Sequence, residues 1–410
     1  MIKERFSWHP EAVLFTAKGK CISARDHQLE STTSSHILSE FFKLLHAGHA
    51  PLVKSDGTVE PGPLPAKENM FYSASGGSTG MPKLVCRSCR SWLLSFAENN
   101  ELFDIRKKKS YATLGHPSHS LTLYAALEAL NTGADYYPLG DIRVTKQLSI
   151  LLEREIKIIY ATPTQLRLLL RFSNRSIRLI GVQWLVIGGG WLDDETMRRL
   201  QDFCPNAEIL QFYGAAETSF ITMSNRWTPD GSVGQAYHDV EIKLMNDQNQ
   251  RVQTGEIGEI WVKSPYLFSH YADPSKQYVK WHDGWLSIGE IGKLDAKGNL
   301  FLEGRKSRAF KIADQNIYPE KLEAALCQHP DIFMAFVFDA PDKMRGANAI
   351  AVIATKSGKI PTDIMKWSHS ALGARSRPAR FLHLAADQWP LLPSGKLDMV
   401  ALKVMAGEMI

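Results

Sequence analysis

The stretch "YSASGGSTGMPKLV", Tyr72 to Val85, contains a loop with almost no side-chain bulk and then one cation, Lys83. A phosphate chain carries oxygens that must be met from several directions. Glycines let main-chain N–H groups approach those oxygens closely, while hydroxyl groups and an ammonium add donors. The sequence therefore predicts a phosphate-binding loop whose donors are Ser75, Gly76, Gly77, Ser78, Thr79, Gly80 and Lys83.

The alternative for this loop is a flexible Gly/Ser linker. Linkers rarely lie between an apolar strand and a helix-like segment, which is the interpretation we give to the residues around the loop, so phosphate binding is favoured. The loop is not a P-loop, because the pattern GxxxxGK[ST] occurs neither here nor elsewhere in the chain.

Length and composition allow a two-domain protein that binds a small anion. A chain of 410 residues exceeds the size at which single cores usually divide. Its net charge of +5 decides little, and no nucleic-acid-binding motif accompanies it. No stretch approaches the roughly 18 consecutive apolar residues of a membrane helix. We therefore expect no nucleic-acid partner and no membrane association.

The five cysteines form an odd, scattered set. This distribution favours reduced thiols and a cytoplasmic location over a disulfide framework. Cys86 and Cys89 have CxxC spacing, but no second pair lies nearby to complete a metal site. We interpret them as incidental thiols.

From residue 109 onward, short apolar runs alternate with amphipathic helical patterns. This alternation predicts an α/β fold with a largely parallel sheet covered by helices, and ligands beyond the carboxyl ends of the strands. The predicted strands are "KSYATLG", "ADYYPL", "IKIIYATP", "IRLIGVQWLVIGGG" and "AEILQFYG", and the predicted helices are "SLTLYAALEALNTG", "TKQLSILLERE", "TQLRLLLRF" and "DDETMRRLQDFC".

The rest of the chain has a different character. Residues 51–70 are rich in Pro and Gly and predict a surface connection. Alternating apolar and polar residues from 232 to about 302 predict a β-rich subdomain. A mixed pattern follows, with two helices, two strands and a loop. We therefore expect a large domain over residues 1–306 and a small α+β domain over residues 307–410.

The first loop resembles the phosphate-loop signature of the adenylate-forming superfamily, and its Gly-Gly-Ser-Thr-Gly and Pro-Lys-Leu variants look most like those of aryl acid ligases. Six further motifs of that superfamily follow in the expected order, so the resemblance covers residues 72–398. They are "QFYGAAETS" (211–219), "GSVGQAYHDVEI" (231–242), "TGEIGEIWV" (254–262), "DGWLSIGEIGKLDAKGNL" (283–300), "GRKSRAFKIADQNIYPEKLE" (304–323) and "LLPSGKLD" (391–398). Residues before about 70 are fewer than the family usually has, so a shortened N-terminal region is expected.

The resemblance implies a large N-terminal domain, a small mobile C-terminal domain, and a ligase. Such enzymes join a carboxylic acid, acyl or aryl, to ATP with Mg²⁺, which gives an acyl-adenylate and pyrophosphate. They then pass the acyl group to a thiol, either coenzyme A or the phosphopantetheine of a carrier protein. The alternative is a degenerate nucleotide-binding protein that senses or scaffolds without turnover.

Three residues receive catalytic roles from the resemblance. Lys396 would bridge the substrate carboxylate and oxygens of the nucleotide, and Lys83 would contact the phosphates. Glu217 would hold Mg²⁺, with Thr79 as a second ligand, since this ion prefers oxygen ligands. The alternative is that Lys396 is a solvent-exposed lysine in a turn, but the surrounding residues "LPSGK" favour the catalytic role.

Further residues would bind the nucleotide and the acyl group. Tyr213 would lie against adenine, with Gly214 allowing close contact and Ala216 beside the phosphates, while Glu290 and Arg305 would bind the ribose and other nucleotide oxygens. A wall between the two pockets would consist of Gly188, Gly189 and Gly190, with something flat packed against it. His119 would lie near the acyl carboxylate, although His116 matches almost as well. Ser307 would be the hinge.

The chain departs from the family pattern at several of these positions. Glu290 stands where Asp is usual, and its extra methylene would push the carboxylate outward. Ala216 replaces a Thr. Ala313 and Asp314 stand where relatives usually have a Gly along the pantetheine path, and a carboxylate there would repel a phosphate-bearing arm. We therefore expect slow thiolation, a carrier-protein partner, or an Asp314 side chain turned to solvent.

Overall fold

A computed structural model describes residues 4–16, 21–23, 34–63, 69–75, 83–104, 109–190, 192–275, 278–390 and 397–409. In this part of the chain the strands are β1 Leu14–Phe15, β2 Cys21–Ile22, β3 Pro51–Val53, β4 Val59–Pro61, β5 Met70–Ser75, β6 Lys83–Ser88, β7 Ser110–Thr113, β8 Asp135–Pro138, β9 Ile158–Ala161, β10 Trp184–Ile187, β11 Glu208–Ala215, β12 Ser219–Ser224, β13 Gln235–Ala236, β14 Glu241–Met245, β15 Ile257–Lys263, β16 His270–Tyr271, β17 Lys280–His282, β18 Trp285–Ser287, β19 Glu290–Leu294, β20 Leu300–Arg305, β21 Phe310–Ile312, β22 Gln315–Ile317, β23 Ile332–Asp342, β24 Gly346–Thr355 and β25 Arg380–His383. The α-helices are α1 Ser34–His46, α2 Cys89–Leu102, α3 Ser120–Thr132, α4 Val144–Glu153, α5 Pro163–Phe172, α6 Asp194–Phe203, α7 Pro319–Leu326, α8 Ile364–Ser376 and α9 Met399–Glu408.

Local sequence explains where several helices begin and end. Thr162 and Gln165 form a reciprocal capping box ahead of α5, and Pro163 occupies its first turn. Asp193 accepts the N–H of Thr196 and so caps α6, as its sequence predicts. Helix α3 ends at Gly133, whose φ of 87° favours glycine. None of the described helices is both long and apolar enough to span a lipid bilayer.

A nine-stranded sheet forms the centre of the large N-terminal region. Its strand order is β13-β12-β11-β10-β9-β7-β8-β1-β2, and the run from β8 to β11 is parallel. The predicted alternation of strands and helices is confirmed from β7 to β11. One strand is shorter than predicted: "IRLIGVQWLVIGGG" contributes only β10, because residues 177–183 are irregular, with a turn at Ile180 and Gly181.

A five-stranded sheet of order β16-β6-β5-β3-β4 carries the Gly-rich stretch. The interpretation of residues 51–70 as a surface connection is wrong at β3 and β4, which pair with each other while β3 also pairs with β5. The segment after the Gly-rich stretch is likewise not helical at first. It forms β6, antiparallel to β5, and helix α2 begins only at Cys89.

The predicted β-rich subdomain is present as a six-stranded sheet of order β17-β18-β15-β19-β20, with β14 paired to β15. A β-bulge between Ile291 and Gly292 interrupts the pairing of β19 with β20. The same pairing places Glu290 opposite Arg305. Two candidate site residues therefore meet at one end of this sheet.

The C-terminal part has its own sheet and apolar core. Strands β23, β24 and β25 form a three-stranded sheet, and β21 and β22 form a hairpin. Helix α7 and the inner faces of β23 and β24 bury residues such as Leu326, Val337 and Ala351. The predicted loop after α8 is wrong in part, because β25 pairs parallel to β24. The expected fold class, a large α/β region with a β-rich portion and a small α+β region, is confirmed.

Candidate active site

The Gly-rich stretch connects two antiparallel strands. The last residue of β5, Ser75, pairs with the first residue of β6, Lys83. Several predicted site residues lie outside the described residues: Gly76, Gly77, Ser78, Thr79, Gly80 and Lys396. Their roles remain predictions. The pairing of Ser75 with Lys83 nevertheless shows that the two ends of the stretch lie side by side.

Strand β6 presents two cations on one face. Side chains alternate along a strand, so Lys83, Val85 and Arg87 point the same way. The Lys83 ammonium lies 3.6 Å from the centre of the Tyr278 ring. Burial lowers the pKa of Lys83; Glu217 opposes this shift and Arg305 adds to it. Glu217 and Arg305, from two distant segments of the chain, therefore both lie within electrostatic range of Lys83.

Glu217 is buried, with 7% of its surface exposed. Its Oε1 accepts a hydrogen bond of 2.8 Å from the Tyr271 phenol, and its carbonyl accepts one of 2.8 Å from the Phe268 N–H. Burial raises the pKa of Tyr271, and the adjacent Glu217 carboxylate raises it further. The phenol therefore stays protonated and acts as a donor.

Arg87 is fully buried below the turn that carries Glu217. Its guanidinium donates to the carbonyls of Ala216 and Tyr266 and, at 2.6 Å, to Ser219 Oγ. Burial lowers the pKa of Arg87 to about 9, and the nearby Glu217 partly offsets this shift. Burial of a cation is costly unless hydrogen-bond acceptors and a nearby negative charge compensate it, and Arg87 has three acceptors. Here it fixes both ends of the 216–219 turn.

Tyr213, Glu290 and Arg305 form a second cluster. The Tyr213 phenol donates to Glu290 Oε2, and Arg305 Nε lies 3.4 Å from Glu290 Oε1. Burial raises the pKa of Tyr213 well above its usual value, and Glu290 raises it further. The longer side chain of Glu290 thus reaches two partners that were predicted to bind the same nucleotide. The structure brings these three predicted residues together.

Gly214 and Ala216 have structural roles that the sequence did not indicate. A Cβ at Gly214 would lie 1.8 Å from the Ser219 carbonyl oxygen, because strand β12 approaches there at a bulge. The close approach attributed to adenine is therefore made by the protein's own backbone. Ala216 supplies a carbonyl to Arg87, and the Thr218 hydroxyl accepts the N–H of Ala215.

The three glycines after β10 differ from one another. The flat group against Gly188 is the Phe212 ring, since a Cβ there would lie 2.2 Å from Phe212 Cζ. Gly189 has a φ of 82°, which disfavours other residues. Gly190 is exposed, and a Cβ there would find Pro163 no nearer than 3.7 Å. Within the predicted wall, the backbone is exposed at Gly189 and Gly190, whereas Gly188 is buried against the Phe212 ring.

The two candidate histidines have different surroundings. His119 precedes α3, is exposed, and forms a parallel bridge with Ala74 on β5. His116 Nδ1 lies 2.9 Å from Ser118 Oγ, and its Nε2 is directed toward Gly57. Because His119 lies beside Ala74, near the end of β5 where the Gly-rich stretch begins, it is favoured over His116 as the residue near that stretch.

Ser307 lies in an exposed turn between two anchored cations. Lys306 binds Asp247 and Glu259, at 2.7 and 3.1 Å, on the side of the six-stranded sheet. Arg308 binds Glu323 of α7 and the Val337 carbonyl of β23. Ser307 thus lies between one cation that binds the six-stranded sheet and one that binds α7 and β23.

Three residues near the site were not predicted from the sequence: Arg87, Tyr271 and Tyr278. Arg87 left a signal, because a charged residue interrupts the apolar run after Lys83 on a strand that pairs on both sides. Tyr271 and Tyr278 left none, since both come from a segment of ordinary composition. Their proximity depends on the pairing of β16 with β6, which places Tyr271 opposite Val85.

Comparison with protein families gives two matches in this chain. The AMP-binding enzyme family matches residues 11–272, and the AMP-binding enzyme C-terminal domain matches residues 321–396. The first match alone covers well over half of the chain.

Among curated proteins, the chain is similar to an uncharacterized acyl-CoA ligase, YhfT, of Bacillus subtilis. The two are 30% identical over 87% of this chain and 73% of the relative. A putative long chain fatty acid-CoA ligase, VraA, of Staphylococcus haemolyticus is 28% identical over 79% of this chain and 67% of the relative.

Among solved structures, the chain is similar to o-succinylbenzoate CoA synthetase, MenE, of Bacillus subtilis in complex with its acyl-adenylate intermediate. The TM-score is 0.72 at 26% identity, over 81% of this chain and 68% of that chain. The same enzyme in complex with ATP and magnesium ion gives a TM-score of 0.72 at 26% identity, over 81% and 69%. None of these comparisons supports the alternative of a non-catalytic nucleotide-binding protein. The chain therefore belongs to the family of AMP-binding enzymes, and the prediction of an ATP-dependent, adenylate-forming acid–thiol ligase is confirmed.

Proposed function

We propose that Lys83 and Arg305 bind the phosphates of ATP and that Glu217 binds the magnesium ion that accompanies them. Lys396 would bring the substrate carboxylate to the α-phosphorus. The observation that carries this proposal is the convergence of Lys83, Glu217 and Arg305. They come from segments that are distant in the sequence, and they bring two cations and one buried carboxylate to the surroundings of Lys83. A polyanionic ligand would give that arrangement a purpose.

Glu217 is suited to hold Mg²⁺. Its Oε1 is engaged by Tyr271, and among the described residues no hydrogen bond reaches Oε2. A carboxylate oxygen is the type of ligand that this ion prefers. When bound, the ion would offset charge on the phosphates. Thr79, outside the described residues, is proposed as a second ligand.

The nucleoside would lie beside the cluster of Tyr213, Glu290 and Arg305. Glu290 is the acceptor for ribose hydroxyls, and Arg305 orients that carboxylate from 3.4 Å. The exposed backbone at Gly189 and Gly190, together with His119, would border the acid. Because Phe212 covers Gly188, we assign Gly188 to packing beneath the pocket rather than to contact with the acid.

The reaction then proceeds in two steps. An oxygen of the carboxylate attacks the α-phosphorus, and the bond to pyrophosphate breaks. Lys396 would draw the two anions together, since an ammonium can contact both carboxylate and phosphate oxygens. In the second step a thiolate attacks the acyl carbon and AMP leaves. The relatives named CoA ligases support coenzyme A as the acceptor, with a carrier protein as the other thiol source.

The two domains would divide at Lys306 and Ser307. Lys306 binds Asp247 of the large domain, whereas Arg308 binds Glu323 of the small domain. These contacts support a hinge at Ser307, about which the small domain, residues 307–410, turns between the two steps. We also propose a cytoplasmic location, which the five free cysteines support.

Pyrophosphate exchange with a panel of acids tests the function. The panel should hold aromatic acids, because the Gly-rich stretch resembles that of aryl acid ligases, and fatty acids of several lengths, because of the relatives' names. We expect exchange with at least one acid and a loss of about a hundredfold or more in Lys396→Ala. Lys359→Ala, an exposed lysine of the same domain, is the control. Full exchange in Lys396→Ala would contradict the proposal.

A further inference from the structure

Two residues hold Glu217 in different ways: Arg87 binds the turn that carries it, and Tyr271 binds its carboxylate. On one side, Arg87 lies below the turn and is fully buried. Its three hydrogen bonds end on the Ala216 carbonyl, the Ser219 hydroxyl and the Tyr266 carbonyl. These acceptors flank Glu217 in the chain or face it from the next segment.

The Ser219 hydroxyl is shared. It accepts from Arg87 and, at 3.1 Å, from the Trp92 indole N–H. The Arg87 guanidinium in turn lies 5.6 Å from the centre of the Trp92 ring. The turn is therefore fastened to β6 and α2 through one cation and one aromatic side chain. Ser219 itself has a φ of 57°, a conformation that such fastening helps to maintain.

On the other side, Tyr271 binds the carboxylate directly. Its ring is packed against Phe268, and strand pairing fixes Tyr271 opposite Val85 of β6. The phenol therefore has little freedom, and it donates to Oε1 at 2.8 Å. This bond leaves Oε2 as the carboxylate oxygen that accepts no hydrogen bond from the described residues.

We propose that Arg87 and Tyr271 are positioning residues: Arg87 fixes the turn that carries Glu217, and Tyr271 fixes the rotation of its carboxylate, so that Oε2 is presented to the magnesium ion of bound ATP. This inference rests on the proposed role of Glu217 as the magnesium ligand. Two effects follow from it. Loss of either residue weakens metal-dependent ATP binding, and metal-free ATP binding stays unchanged.

The test uses the full chain and measures ATP binding by calorimetry at saturating Mg²⁺ and again in EDTA. The dissociation constant in EDTA divided by that at saturating Mg²⁺ reports the metal's contribution to ATP binding without any turnover. Tyr271→Phe keeps the ring and removes one hydrogen bond to a charged group, so we expect this ratio to fall about tenfold. The dissociation constant in EDTA should not move.

Tyr237→Phe is a matched control. Tyr237 and Tyr271 are both 7% exposed, and each phenol has a hydrogen-bond acceptor at 2.8 Å, which for Tyr237 is Asn99 Oδ1, with the Ser95 carbonyl further away at 3.3 Å. Tyr237 does not contact Glu217, so this variant should keep the wild-type ratio. A loss in Tyr237→Phe equal to that in Tyr271→Phe would overturn the inference, because the effect would then belong to any buried phenol.

Arg87→Lys retains the charge and removes the planar fork that reaches several acceptors. We expect the metal-dependent ratio to fall severalfold in a folded protein, with folding checked by thermal melting. If this variant does not fold, Ser219→Ala removes one Arg87 acceptor at lower structural cost and should lower the same ratio. A wild-type ratio in folded Arg87→Lys, or in Ser219→Ala where it stands in, removes Arg87 from the proposal.

Glu217→Gln separates this inference from the function on which it rests. If the wild type gains affinity from Mg²⁺ and Glu217→Gln loses that gain, the proposed role of Glu217 stands. An unchanged ratio in Tyr271→Phe would then overturn the positioning role alone. If the wild type shows no gain from Mg²⁺, both proposals fail.

Discussion

The Lys83 ammonium lies over the Tyr278 ring, 3.6 Å from its centre, at the point where the Gly-rich stretch rejoins the sheet. Tyr278 in turn packs edge-on against Tyr271, with ring centres 5.3 Å apart. The cation proposed to meet the phosphates and the phenol that holds Glu217 are thus linked through one aromatic side chain. A flexible lysine is held near its working position before any ligand arrives.

Replacing Tyr278 with leucine should weaken ATP binding. A cation–π contact at a partly exposed ring contributes about 0.5–1 kcal/mol, so the KM for ATP should rise about two- to fivefold. The measurement is pyrophosphate exchange with ATP varied at saturating acid. Tyr278→Phe keeps an aromatic face and should stay close to wild type. Equal KM values in the leucine and phenylalanine variants would show that the ring contact does not hold Lys83 for binding.

A methyl group at position 188 should destabilise the fold. The Gly188 Cβ would lie 2.2 Å from Phe212 Cζ, so Gly188→Ala forces the ring or the strand to move. Overpacking of this kind costs about 1–3 kcal/mol in the free energy of unfolding, measured by urea titration. Gly190→Ala, with no atom nearer than 3.7 Å, is the matched control and should unfold like the wild type.

Adding Phe212→Leu to Gly188→Ala should recover part of the lost stability, because the smaller side chain vacates the space. No recovery in the double variant would mean that the clash lies in the backbone of β10 rather than with the ring.

Gly188 and Gly214 show what the sequence could and could not predict. The order of the motifs predicted the family and the fold class, and three residues that the motifs named, Tyr213, Glu290 and Arg305, lie together in the structure. It did not predict that Phe212 occupies the space at Gly188 or that the Ser219 backbone occupies the space at Gly214. The contact at Gly188 depends on the register of β10 against β11, and the contact at Gly214 depends on the bulge where β11 pairs with β12, and neither register can be read from a local pattern.

Two tyrosines illustrate the same limit. Tyr271 and Tyr278 lie in a segment with no motif. The pairing of β16 with β6 places Tyr271, and Tyr278 packs against the Tyr271 ring. The interpretation of residues 51–70 was wrong for a related reason. Pro and Gly predict turns locally, yet the short strands β3 and β4 form because β5 provides a partner.

Stability should fall as the pH rises toward 8 because of Glu128. This carboxyl group is fully buried on α3, where Tyr160 OH and Asn99 Nδ2 each donate to it at 2.7 Å. Burial raises the pKa of Glu128 to about 8 despite these donors. The groups that face it are phenols, those of Tyr111, Tyr124, Tyr160 and Tyr237, whose pKa values are raised as well.

The sign follows from proton binding. Between the ordinary carboxyl pKa and about 8, the folded state keeps a proton that the unfolded state has released. The free energy of unfolding therefore decreases with pH in this window, by up to about 1.4 kcal/mol per pH unit. Glu128→Gln cannot ionise and should flatten the dependence seen in urea titrations between pH 6 and 8. Exposed Glu153→Gln is the control, and an unchanged slope in Glu128→Gln would contradict the assignment.

The turn between β21 and β22 bears on thiolation. Ala313 has a φ of 52°, a conformation that favours glycine, and its N–H donates to the Arg345 carbonyl at 2.8 Å. Asp314 follows it and is exposed. Of the three expectations raised by this carboxylate, the structure fits a side chain turned to solvent, where its charge still acts on an approaching phosphate-bearing thiol.

Asp314→Gly should therefore speed thioester formation with coenzyme A and leave pyrophosphate exchange unchanged. Removing one like charge at a solvent-exposed site is worth about 1 kcal/mol at close range, or about fivefold in rate. Salt screens this repulsion, so the difference from wild type should shrink as ionic strength rises. Ala313→Gly alters the same turn without changing charge and serves as the control. If Asp314→Gly forms the thioester at the wild-type rate in low salt, repulsion by Asp314 has no part in the second step.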